Sequence, residues 1–157
     1  MDGGTVWNNN LVSAVERCHE IVDSDEQITI DIITCSSGRP TAQNASGNSI
    51  SNWLRYWELS GFYKNLDDIF EFKQAFPNVN YRYLFIASKP LASGTQLLDF
   101  SPAIIDPMLQ IGLDDAATMI GTTKPGESFK RFERWMQNHD NVKEHHPELS
   151  SYLYSQE

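Results

Sequence analysis

Only two stretches of this chain read as β-strands, and that scarcity limits every fold open to it. Gln27 to Thr34 alternates Ile28, Ile30 and Ile32 with Thr29 and Asp31, a β-branched run of period two. Asn80 to Ser88 is the second, and its apolar run Leu84 to Ala87 predicts burial on both faces. The rest is helical or loop-like. Strands alternating with helices imply an α/β sandwich. Two strands are too few for a covered parallel sheet, so the remaining strands are expected ahead of Met1. At 157 residues the chain is long enough for a domain with a real core.

Several helices are legible from spacing. Leu11, Val12, Val15, Cys18, Ile21 and Val22 recur at helical intervals, with Asn9 or Asn10 as N-cap and Asp23 to Asp25 as exit. Cys35 to Ser51 is rich in Ser, Gly and Asn and reads as a long loop. Ile50 to Phe76 reads as helix in two pieces broken near Gly61, with Pro77 as its stop. Ser101-Pro102 opens a helix that runs through Met108 to Ile120 despite Pro107. Glu127 to Asn138 places Phe129, Phe132, Trp135 and Met136 on one side. The tail beyond His139 is polar and is expected to add little.

Charge narrows the function. A net charge of −9 argues against a nucleic-acid partner, which needs a basic surface. It also argues against strong attraction to anionic membranes, so any lipid contact would be apolar or local. No apolar run reaches the length of a transmembrane span, and no signal peptide is visible. Cys18 and Cys35 suit small buried hydrophobes in a reducing compartment.

The chemistry lies at the start, Met1-Asp2-Gly3-Gly4-Thr5-Val6-Trp7-Asn8-Asn9-Asn10. Two glycines after an acid let the backbone pass close to another group, so the carboxylate can face outward. This stretch resembles the Asp-Gly-Gly motif of patatin-like phospholipases. In that family the Asp partners a nucleophilic Ser, and an Asn-containing segment opens the next helix. The likeness extends to the Arg17-Cys18-His19-Glu20 helix, the Ile-rich strand and Lys89-Pro90-Leu91. Leu98 to Pro102, followed by Gly112 to Ala116, is similar to the helix that closes many of its domains. Coverage runs from Asp2 to about Ile120.

The resemblance implies the C-terminal portion of a three-layer α/β/α domain lacking its N-terminal half (1–122), then a helical extension with a polar tail (123–157). It implies a serine–aspartate dyad that hydrolyses acyl esters of glycerolipids without metal or organic cofactor. Asp2 would be the base, Gly3 and Gly4 would shape the turn, and Asn8 and Asn9 would hold it. An ordinary carboxylate, of pKa about 4, is a weak base for a hydroxyl, so such an Asp must be desolvated. The chain departs from the family in three ways: it has no G-x-S-x-G, no Gly-rich oxyanion loop, and Asn10 where the family often has Pro. Alone it would be inactive, a base without a nucleophile. The implied setting is cytoplasmic, with peripheral contact at membranes or lipid droplets.

Other candidates weigh less. Ser36 and Ser37 lack the glycine before an elbow, and Arg39-Pro40 discourages a following helix. His19 reads as a helix-surface residue, and His145-His146 as an exposed pair without further ligands. Gly121 to Lys124 lacks the context of a phosphate loop. Trp53 and Trp57 at i, i+4 suit a core stripe better than a lipid-facing patch. The competing function is a non-catalytic α/β module that binds a protein or lipid surface through Cys35 to Ser51 and the Trp53/Trp57 region.

Overall fold

The computed structural model describes residues 10–37, 49–91, 99–139 and 149–154. In order these form α1 (Leu11–Cys18), a 3-10 turn (Asp25–Gln27), β1 (Thr29–Ser37), α2 (Ser49–Ala75), β2 (Asn80–Ala87), α3 (Pro102–Thr122), α4 (Glu127–His139) and α5 (Leu149–Leu153). The class is mixed α/β, with β1 paired to β2 in a two-stranded sheet. The chain forms two compact units. One comprises 10–30 and 49–80, the other 31–37, 81–91, 99–139 and 149–154.

In the first unit, Asn10 caps α1 by accepting from the Ser13 N–H at 3.4 Å. The helix stops at Cys18, shorter than the expected Leu11 to Val22, and leaves Ile21 exposed. The His19 ring closes the exit turn, 2.9 Å from Asp25 Oδ1 and 3.3 Å from the Val22 carbonyl. α1 packs against α2.

α2 is one helix of 27 residues, so the break expected near Gly61 does not occur. A side chain at Gly61 would meet nothing within 4 Å, so the glycine relieves no clash. Its cost in a helix is only about 0.5–1 kcal/mol. The buried stripe Phe62, Leu66, Ile69 and Phe72 offsets that many times over. Upstream of Gly61 the helix is different. Trp53 and Trp57 are 59% and 60% exposed, beside exposed Ile50 and Tyr56, so they are not core residues. The two indoles satisfy each other edge to face, with centroids 5.9 Å apart.

The second unit is built on the sheet. Asp31 accepts from the Arg82 Nε at 3.0 Å and the Tyr83 N–H at 3.1 Å, and the Thr34 hydroxyl donates to the Phe85 carbonyl at 3.3 Å. Position rises together on both strands, so they run parallel. Partners lie 51 residues apart in sequence. Residues 83 and 85 thus face β1. The backbone groups of 82, 84, 86 and 88 face away and find other partners. The Gly126 N–H donates to the Arg82 carbonyl at 2.8 Å, and the Leu84 N–H to Ser128 Oγ at 3.0 Å. The Tyr154 hydroxyl donates to the Ile86 carbonyl at 3.1 Å, and the Ser88 N–H to Asp115 Oδ2 at 2.8 Å. Gly126 has φ +83, a left-handed turn that favours glycine and delivers this N–H to the strand.

α4 buries Phe129, Phe132 and Trp135, as its periodicity predicts, and sets the Phe129 ring, tilted, against Tyr81 with centroids 5.0 Å apart. The tail is a correction. α5 packs against α4, Leu149 and Leu153 are wholly buried, and Arg131 Nη1 donates to the Leu153 carbonyl at 2.9 Å. Two leucines four residues apart make a full turn of core. So short a segment gives too little periodicity to register in sequence.

Two outcomes follow. Gly61→Ala should raise unfolding free energy by about 0.5–1 kcal/mol in urea titration, whereas a helix broken there would be destabilised. The Arg82 guanidinium, hydrogen-bonded to Asp31, holds that carboxyl below its usual range. A depressed carboxyl stabilises the fold above the unfolded value near pH ~4, and the benefit is lost as pH falls through the folded value. Asp31→Asn should therefore lower Tm at pH 7, and the two melting curves should converge in acid.

Candidate functional site

None of the residues singled out at the N-terminus can be placed: Asp2, Gly3, Gly4, Asn8 and Asn9 lie outside the described residues, as do His145 and His146. His19 is engaged locally on the surface, and Gly121 to Lys124 is the end of α3 rather than a phosphate loop. Among the described residues, no three His, Cys, Asp or Glu side chains cluster to hold a metal. No helix among them is long and apolar enough to cross a membrane. Cys18 is half-buried and Cys35 exposed, so neither is the buried hydrophobe its composition suggests.

What the structure does offer is a cavity of about 300 Å³ within the second unit. It sits at the carboxyl ends of the strands, where open α/β sheets bind ligands. Thr34 and Cys35 come from β1, Phe85 to Ala87 from β2, and Met108, Ile111, Gly112 and Asp115 from α3, while Tyr154 follows α5. The half-burial of Phe85 and Ala87 has its explanation here: the face expected to be covered is turned to this space.

The lining is almost wholly apolar, with one carboxylate. α3 places it by phase. Met108, Ile111, Asp115 and Met119 fall at i, i+3, i+7 and i+11 and share one face. Asp114, one step round, is exposed and accepts from Gln110 Nε2 at 2.7 Å. Asp115 instead is buried and accepts the Ser88 N–H just past the end of β2. A charge on an apolar helical stripe was the signal available in sequence; the pair Asp114-Asp115 masks it by reading as a solvated turn of helix.

Tyr154 closes the far side. Its hydroxyl donates to the Ile86 carbonyl, and burial, reinforced by the Asp115 charge, pushes the phenol well above its ordinary value. It stays protonated and is a poor proton donor or acceptor for chemistry. Its position depends on α5, the segment that looked dispensable.

Comparisons with protein-family models, with curated proteins and with solved structures find no match.

The tyrosine gives a pH signature. A phenol raised on folding stabilises fully below the unfolded value near pH ~10, and the benefit is lost as pH rises beyond it. Tyr154→Phe should cost about 0.5–1.5 kcal/mol at pH 8 through the lost hydrogen bond. In urea titrations at pH 11 that deficit should shrink. A deficit independent of pH would mean the phenol is not held neutral by the fold.

Proposed function

We propose that this chain is the C-terminal part of a patatin-like lipid acyl hydrolase domain, in which Asp2 serves a serine nucleophile carried by another segment. The observation that supports it most is the one-sided sheet. β2 is closed on its outer edge by Gly126, Ser128, Tyr154 and Asp115. β1 has β2 as its only neighbour among the described residues. Beside that open edge Ile33 is 73% exposed, and α3 leaves Ile105, Leu109, Leu113 and Ile120 uncovered.

A two-stranded ladder is at best marginal in water, and parallel strands are almost always covered on both faces. These surfaces favour further strands beyond β1 and a covering layer, as a three-layer α/β/α domain would supply. The cavity adds to the case, since an apolar pocket at strand carboxyl ends suits an acyl chain. In the proposed reaction Asp2 takes the serine hydroxyl proton as its oxygen attacks the ester carbonyl. The alcohol leaves with that proton, and water then releases the acyl group as a fatty acid. The setting proposed is cytoplasmic, with peripheral contact at membranes or lipid droplets.

One observation favours the competing reading, a non-catalytic module that binds a protein or lipid surface. Ile50, Trp53, Tyr56 and Trp57 form an exposed apolar stretch at the start of α2.

An antibody to residues 129–140 tests the two. The hydrolase reading expects a native product well above 17.9 kDa that cleaves a p-nitrophenyl ester. Asp2→Asn in that product should reduce turnover by about 10²–10⁴-fold without changing its melt. A band at 17.9 kDa without esterase activity would favour the binding module, and full activity in Asp2→Asn would remove Asp2 as the base.

A further inference from the structure

The cavity holds one polar group at odds with its walls. Asp115 is only 8% exposed, and Oδ2 accepts the Ser88 N–H. Oδ1 has no hydrogen-bond partner among the described residues. Neither lining hydroxyl offers it a proton, because Thr34 donates to the Phe85 carbonyl and Tyr154 to the Ile86 carbonyl. A carboxylate buried with part of its acceptor capacity unfilled is costly, and a ligand that supplies the donor removes that cost. The site therefore has an acceptor to give and no hydroxyl proton to offer.

We propose that the cavity binds a single-chain amphiphile whose head is a hydrogen-bond donor, a primary hydroxyl or an ammonium group, received by Asp115 Oδ1. Its tail lies against Ile33, Phe85, Met108 and Ile111. A fatty carboxylate is the wrong head, since it would set two anions side by side away from water. The cavity is thus selective for a lipid with a hydroxyl or ammonium head over the free acid that ester cleavage releases. This rests on the cavity being a lipid site, and on no catalytic step.

Size sets the probe. With about 30 Å³ per water-sized heavy group, 300 Å³ accommodates on the order of ten, so the decyl series is suitable. The full chain is loaded with the neutral fluorophore N-phenyl-1-naphthylamine. Decanol, decylamine and decanoate then compete it off at pH 7.5, each below its aggregation concentration. Decanol or decylamine should bind at least about tenfold tighter than decanoate, because a site built around a hydrogen bond rejects a ligand that cannot make it.

Asp115→Asn keeps an acceptor for the Ser88 N–H but removes the charge, and should bring the three ligands to within about threefold. Gly112→Leu projects into space where a Cβ meets nothing within 4 Å, and should block all binding while leaving the melt intact. Decylamine ahead of decanol identifies an ammonium head, and the reverse a hydroxyl. Decanoate binding as tightly as either, or an unchanged ranking in Asp115→Asn, overturns the head-group assignment alone. Failure of every ligand to displace the fluorophore overturns the lipid-site reading with it. Should Asp115→Asn fail to fold, the wild-type ranking and the Gly112→Leu block still decide.

Discussion

β2 is bonded differently on its two edges, and the second unit is arranged around that difference. Toward β1 it offers backbone to the Asp31 carboxylate and the Thr34 hydroxyl. On the other side four successive outward positions are taken by a glycine N–H, a serine hydroxyl, a tyrosine hydroxyl and an aspartate carboxylate. Each comes from a different place: the turn before α4, α4 itself, the end of α5 and the middle of α3. A buried strand edge has to find such partners, since each unpaired backbone group would cost about 1–3 kcal/mol. Their variety explains why three helices converge on one short strand.

That convergence also makes the cavity. Asp115 and Tyr154 reach the edge of β2 from α3 and α5, and both line the same space. Two of the four groups that terminate the sheet are therefore also polar groups of the pocket. At Asp115 the same side chain holds the Ser88 N–H and lines the cavity.

Local signals made most of the elements legible. The β-branched run gave β1, Ser101-Pro102 opened α3, and the aromatic spacing of α4 was enough to place it. What was missed depends on contacts far along the chain. Gly61 looked like a break because glycine is a poor helix former, but packing downstream decides the matter. Trp53 and Trp57 looked like core because indoles usually are, yet both stay more than half exposed. α5 is two leucines in a polar tail, and only α4 reveals their use. Asp115 is the sharpest case, because its burial depends on where β2 ends, 27 residues upstream. The N-terminal motif, with Asp2, Gly3, Gly4, Asn8 and Asn9, was the clearest chemical signal in the sequence and lies outside the described residues.

The 51-residue separation between paired strand positions has a consequence during synthesis. Helices close locally and early, but a parallel ladder forms only after the chain has looped back. At roughly 5–20 residues per second, β1 leaves the ribosome about 3–10 s before the partner it pairs with. For that interval an isoleucine-rich segment waits with its backbone unpaired, in the company of every other nascent chain nearby. Asp31 and Thr34 do double service: they later bond to β2, and until then they are the polar interruptions that keep the segment from pairing with a stranger.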